Sequence, residues 1–259
     1  MKKYVLLSFD VEEFDMPLEY KQHIGIEEQM EIGIKGLDAL MSILTRNDLK
    51  STLFTTANFA LSFPDRIKEL SNIHEIASHT FFHSAFQNED LKKSKQAIED
   101  ITNKKITGLR MPRMRAVEIN EVIKAGYNYD SSINPTLLPG RYNNLHLPRT
   151  IYQDNNLVRI PASVSPKMRL PLFWLGFKNY PYTLFKKLCV NALNQDGYLC
   201  LYFHPWEFTS LVKYKLPWYA KRIDDKILLD RLIRLINDLN DYADFTTIEN
   251  FLTLKKFIS

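Results

Sequence analysis

Short apolar runs of strand length alternate with segments of helical period along this chain, and few folds accommodate such a pattern. Residues 4–9, 51–56, 74–78, 107–111, 157–161, 198–203 and 245–248 read as strands. Residues 26–45 read as a helix, with Leu37, Leu40, Met41 and Leu44 at helical spacing. Residues 64–70 begin with a proline, and residues 90–102 follow an acidic start, Asn88-Glu89-Asp90, that suits a helix N-terminus. Residues 119–125 stop at Gly126, and residues 182–193 and 225–239 complete the helices. Alternation of this kind predicts a parallel sheet flanked by helices. The polar motifs stand at the C-terminal ends of the strands, where a β/α barrel gathers its catalytic groups.

Chemistry-bearing residues concentrate at those ends. His79 and His83, in Ser78-His79-Thr80-Phe81-Phe82-His83, are four apart, and on a helical turn both imidazoles reach one metal ion. Ser8-Phe9-Asp10-Val11-Glu12-Glu13 closes the first strand. Side chains at i and i+2 share a strand face, so Asp10 and Glu12 point one way and Glu13 the other. Two histidines and one carboxylate leave open positions on a metal, as a hydrolytic zinc site requires, and suit non-haem iron equally. Each feature also has a plainer reading, as hydrogen-bonded core histidines or a solvated acidic strand end. Three further motifs follow in order: Arg110-Met111-Pro112, Tyr129-Asp130-Ser131-Ser132, and Phe203-His204-Pro205-Trp206-Glu207 after an apolar run.

With these motifs the chain resembles the polysaccharide deacetylases of the NodB-homology type, carbohydrate esterase family four, from Lys3 to about Leu252. Ser51-Thr52-Leu53-Phe54-Thr55, His74 to Thr80 with His83, Gly108 to Pro112, Gly126 to Ser132 and Tyr202-Phe203-His204-Pro205 are similar to successive family motifs. The resemblance implies a distorted (β/α) barrel of about seven strands and one catalytic domain over residues 1–259. It also implies a divalent metal, Zn2+ foremost, held by His79, His83 and a carboxylate. The commonest family pattern has two adjacent aspartates, a base and then a ligand, but Val11 takes the second place here. Glu12 is the next acid, as in a subgroup whose ligand lies two positions after the base, and the strand alternation independently favours Glu12 over Glu13.

Asp10 is then the general base or, alternatively, a fourth ligand. Arg110 orients it. His204 is the acid or a structural histidine under Trp206. Asp130 orients His204, or bonds the backbone of Ser131 or Ser132 in a turn. Trp206, Pro112 and Tyr129 are assigned to substrate contact, and Glu207 lines the groove or caps the strand. The implied activity is removal of an acetyl group, from nitrogen foremost, on a glycan or lipid-linked sugar precursor, with a water activated on the ion as nucleophile. Hydrolysis of a non-sugar cyclic amide and a non-catalytic glycan-binding barrel are the alternatives.

Composition agrees with one enzyme domain. The chain has 259 residues, 45% hydrophobic and 25% charged, enough for a sizeable core. Only eight glycines and no low-complexity tract argue against a long linker. A net charge of +4 without clustered Lys and Arg excludes a nucleic-acid partner. Met1-Lys2-Lys3 opens like a signal peptide, but Asp10, Glu12 and Glu13 cut the apolar run short. No run of about 18 apolar residues predicts a spanning helix. Cys189 and Cys200 are the only cysteines, and a cytoplasmic location is expected. Residues 170–182, with Phe173, Trp174, Phe177, Tyr180 and Tyr182, read as a loop packed over the barrel, or as a lip that stacks sugars or touches a membrane. Lys178, Lys186, Lys187, Lys213, Lys215, Lys221 and Arg222 would suit anionic lipid or a diphosphate there. His23, His74 and His146 are read as structural.

Overall fold

The structure is a computed structural model and describes residues 2–258. In order, the chain builds β1 (Tyr4–Val11), α1 (Met16–Glu19), α2 (Ile26–Leu44), β2 (Ser51–Thr55), α3 (Ala57–Ser62), α4 (Pro64–Ser71), β3 (Glu75–Ser78), α5 (Glu89–Thr102) and β4 (Gly108–Leu109). It continues with α6 (Ile119–Lys124), β5 (Tyr129–Asp130), a small hairpin of β6 (Leu137–Leu138) and β7 (Tyr142–Asn143), β8 (Tyr152–Asp154) and β9 (Leu157–Arg159). The last elements are α7 (Trp174–Asn179), α8 (Tyr182–Asp196), β10 (Tyr198–Phe203), α9 (Asp225–Asn240), β11 (Asp244–Phe245) and α10 (Ile248–Leu254).

The main sheet runs β10-β1-β2-β3-β4-β5-β9-β8, with β11 added to β1 beside β2. Every pairing is parallel except β8 with β9, so eight strands form a curled parallel sheet. Beyond β9, Ser163 reaches the far edge. Its N–H donates to Cys200 O (2.8 Å), and its Oγ accepts from Cys200 N (2.8 Å). The curled sheet is therefore closed by a side-chain and loop contact rather than a ladder, consistent with the distorted barrel that the resemblance implies.

Alternation along β1 sorts the two sides of the sheet. Leu6 joins Phe54, Ala77, Tyr129, Val158 and Cys200 in an interior cluster, closed below by Ile248, Phe251 and Leu252 of α10. Val5, Leu7, Phe9 and Val11 pack outward with the helices in the larger core. Gly36 on α2 allows one close approach: a Cβ there would sit 2.0 Å from Pro205 O, so only glycine lets α2 press on the turn that follows His204. Gly126 ends the α6 region at φ +85, as its sequence position predicts.

Some elements differ from expectation. The strand expected at 245–248 stops at Phe245, because Thr247 caps α10, its Oγ1 accepting from Asn250 N (3.1 Å). Residues 170–182 contain the helix α7, and Phe173, Trp174 and Phe177 are buried in the core. Among the described residues no helix is long and apolar enough to cross a membrane.

Candidate active site

Four strand ends converge on one cleft. β1 brings Asp10 and, just past its end, Glu12; the loop after β3 brings His79 and His83; β4 leads into Arg110; and β10 leads into His204. The histidine pair does not lie on a helical turn. β3 ends at Ser78, and residues 79–83 form a loop with Thr80 at φ +62. The carbonyls of Thr80 and Phe81 accept from Ala57 N (2.9 Å) and Asn58 N (3.0 Å) at the start of α3. Those bonds satisfy helix-end amides and bend the loop back, which brings the rings to a centroid separation of 5.6 Å without helical geometry.

Glu12, His79 and His83 form the one group of three candidate metal ligands among the described residues, with ligand atoms all within 4.8 Å of one another. Glu12 Oε2 lies 3.0 Å from His79 Nε2 and 3.1 Å from His83 Nε2. The other nitrogen of each ring faces an acceptor: His79 Nδ1 is 2.7 Å from Arg110 O, and His83 Nδ1 is 2.7 Å from Asp15 Oδ1. With those acceptors taking the Nδ1 protons, a cation that displaced the Nε2 protons would find both Nε2 atoms and a carboxylate oxygen turned to one point. Burial opposes ionisation of Glu12, but His83 and His79 hold its carboxyl far below the usual range. Burial likewise opposes the His83 imidazolium, yet Glu12 and Asp15 push its pKa up to about 9. Trp206 Nε1 donates to the second oxygen of Glu12 (2.9 Å). Glu13 points away and accepts from Thr56 Oγ1 (2.7 Å) and Asn58 Nδ2 (2.6 Å).

Asp10 and His204 face each other beside this cluster, Asp10 Oδ2 standing 3.9 Å from His204 Nε2. Arg110 Nη1 holds the other Asp10 oxygen at 2.6 Å. The Arg110 guanidinium is fully buried, bonded also to Ser8 Oγ, Ser131 O and Ser131 Oγ, and lies 4.0 Å over the Phe54 ring. Behind His204, Nδ1 is 2.9 Å from Glu207 Oε1, and Lys178 Nζ forms an ion pair with Glu207 Oε2 at 3.1 Å while bonding Ala220 O. Burial disfavours the His204 imidazolium, but Glu207 and the charge of Glu12 outweigh it and raise its pKa.

Several expected residues sit elsewhere. Asp130 accepts from Ser132 Oγ and Ser132 N and pairs with Arg159 (2.9 Å), so the residue behind His204 is Glu207, not Asp130. Tyr129 is wholly buried in the barrel interior, with its hydroxyl on Glu75 (2.6 Å), and is closed to substrate. Pro112 is buried, and its neighbours Arg113 and Met114 line the cleft instead. Trp206 does line it. Lys178 is buried against Glu207 and is not part of a basic surface. Asp15, which fixes His83 and pairs with Arg113 (2.7 Å), escaped the sequence reading. The one sequence signal for it is an acid flanked by Phe14 and Met16, where a loop residue would be solvated unless partnered.

Comparison with known proteins agrees with the fold. A family profile described as polysaccharide deacetylase matches residues 2–129, and one described as a domain of unknown function (DUF3473) matches residues 131–253. No curated protein matches the chain significantly in sequence. Among solved structures, the fold is shared with a protein of Mycobacterium smegmatis assigned as a polysaccharide deacetylase (TM-score 0.65, 17% identity, 99% of this chain and 91% of that one). It is shared with PuuE allantoinase (TM-score 0.65, 14% identity, 95% and 88%). A pseudoenzyme of carbohydrate esterase family 4 from Bacillus anthracis also shares it (TM-score 0.51, 13% identity, 97% and 66%). Residues 2–129 of the chain belong to the polysaccharide deacetylase family.

Proposed function

We propose that this chain is a metal-dependent hydrolase that removes the acetyl group from an N-acetylated sugar, in a glycan or a lipid-linked precursor, with Glu12, His79 and His83 holding a zinc ion. The supporting observation is the division of labour in the cleft. Three donors converge on one point, and a carboxylate and an imidazole 3.9 Å apart face the same space without joining them. Glu12, His79 and His83 would hold a divalent ion, which when bound would supply Lewis acidity toward the acetyl carbonyl and a water.

Asp10, held at Oδ1 by Arg110 (2.6 Å), accepts the proton of the attacking water at Oδ2. Water oxygen bonds to the acetyl carbon and the carbon–nitrogen bond breaks. His204, protonated and oriented by Glu207, delivers a proton from Nε2 to the departing amine, leaving acetate and a free amine. The two matched segments work as one catalytic domain on this reading, since Glu12 and His79 come from the first and His204 from the second. Cys189 and Cys200 are both buried free thiols, which supports a reducing, cytoplasmic compartment.

The test is acetate release from a panel of N- and O-acetylated saccharides, with and without chelator, alongside a cyclic amide. Chelator-sensitive release from an N-acetyl sugar is expected. Turnover of the cyclic amide alone would move the chain to amide-ring hydrolysis. Failure of every substrate by the zinc-loaded protein would make it a binding barrel.

A further inference from the structure

A second hollow of about 550 Å3 opens beside the catalytic cleft, which itself holds only about 80 Å3. The two share Met16, Leu138, Arg141, Trp174 and Leu175 as walls, so one runs into the other. Its size falls within the range of small-molecule sites, roughly 300–1,000 Å3. Leu137, Leu145, Met168 and Trp218 line it while remaining 48%, 44%, 74% and 67% exposed. Single exposed apolar residues are ordinary, but four such side chains gathered on one groove mark a binding surface. The walls combine aliphatic and aromatic side chains, and the polar ones among them are already engaged, Thr136 Oγ1 on Arg169 O (2.6 Å), Arg169 Nη1 on Leu147 O (2.8 Å) and Asn179 Nδ2 on Tyr219 O (2.9 Å), so a second saccharide unit would leave hydroxyls unpaired there.

Charge narrows the occupant. Arg141 stands where cleft and groove meet, its side chain 41% exposed and its Nη2 bonded to Glu19 Oε2 (2.6 Å). Arg222 stands on the groove's flank, its Nη1 bonded to Asn179 O (3.2 Å) and its guanidinium 5.9 Å from the Trp218 ring. An apolar trough with one guanidinium at its inner end and another on its flank complements an anionic amphiphile.

We propose that the substrate is amphiphilic, its sugar entering the metal cleft while an aliphatic chain, joined through a phosphoryl linkage that meets Arg141, lies in this groove. The proposal rests on the deacetylase reading for the sugar end only. Dodecyl phosphate, kept below its micellar concentration, is titrated into the metal-free chain and followed by tryptophan fluorescence. One-to-one binding is expected, tightening about two- to fourfold per methylene from octyl to dodecyl, as burial of a methylene group predicts. Leu145→Glu and Met168→Glu, both at exposed positions, each weaken it tenfold or more. With zinc-loaded enzyme, the ratio of kcat/KM for dodecyl over methyl glycosides of N-acetylglucosamine exceeds one hundred and collapses in either variant.

Dodecyl phosphate bound no more tightly than inorganic phosphate overturns the proposal. So does binding to phosphatidylglycerol vesicles without binding of the monomeric amphiphile, which would make this face a membrane contact. Dodecyl phosphate that binds as expected, with neither glycoside hydrolysed, defeats the deacetylase reading and leaves the groove's ligand standing. Hydrolysis of the methyl glycoside with no gain from chain length does the reverse.

Discussion

Trp206 donates its indole N–H to one oxygen of Glu12 across 2.9 Å, which turns the other oxygen to within 3.1 Å of both His79 Nε2 and His83 Nε2. A residue that follows β10 thus sets the rotamer of a side chain that follows β1, 194 positions away. The tryptophan thereby orients one of the three residues of the candidate metal site.

Glu12 and Glu13 are adjacent but not equivalent. Glu12→Ala removes one of three converging donors, and zinc measured by atomic absorption after dialysis is expected to be lost together with activity. Glu13→Ala keeps the zinc. It leaves Thr56 and Asn58 without their acceptor, so the expected cost is about 1–3 kcal/mol of unfolding free energy in urea titration. Zinc loss in Glu13→Ala alone would move the ligand to Glu13.

Asp15 holds His83 at 2.7 Å and, on the proposed reading, would act on a metal through it. In Asp15→Asn the ring keeps a polar neighbour but loses the carboxylate that fixes its proton on Nδ1. Zinc affinity, read by competition with a chromophoric chelator, is expected to fall about 10- to 100-fold, the usual effect of removing such a partner. An unchanged affinity would make Asp15 a mere anchor for Arg113.

On the mechanism proposed above, His204 is the proton donor and Glu207 holds its ring. Glu207 helps raise the His204 pKa, so the imidazolium persists above the ordinary imidazole range and activity is lost only as pH rises through that raised value. Removing the carboxylate lowers the pKa and moves the basic limb of kcat/KM to lower pH. Glu207→Gln alone strands the buried Lys178, at a cost of about 3–5 kcal/mol, so the variant to measure is Lys178→Met/Glu207→Gln. In His204→Ala, and likewise in Asp10→Asn, zinc stays bound while turnover drops about a hundredfold or more. The basic limb should vanish in His204→Ala; its persistence would assign the proton to another group.

Gly36 carries the approach of α2 to the His204 turn. Gly36→Ala puts a methyl 2.0 Å from Pro205 O, and separating the two is expected to cost about 1–3 kcal/mol. Thermal unfolding reads that loss. Because Pro205 follows His204 directly, kcat should fall while zinc content holds. Gain of stability, as for an ordinary glycine in a helix, would show that the approach is looser than 2.0 Å implies.

The sequence by itself determined the β/α alternation, and with it the parallel sheet and the end of the barrel where the chemistry gathers. It also determined the split between Glu12 and Glu13. Those features are local: a strand's two-residue period needs no partner to place Leu6, Asp10 and Glu12 on one side. Tertiary structure decided everything that rests on what a side chain meets. Asp130 and Glu207 are both acids near the site, and only the packing of β5 against β9 sends Asp130 to Arg159 and leaves Glu207 behind His204. Tyr129 stands in a motif beside Asp130, yet strand register turns it into the barrel. Lys178 reads as one more surface cation until α7 buries it against Glu207. The H-x-x-x-H spacing suggested a helical turn, and bonds from the loop to the first amides of α3 folded it otherwise. Periodicity sorts faces along one element, while hydrogen-bond and ion-pair partners come from segments distant in the chain, which no local pattern encodes.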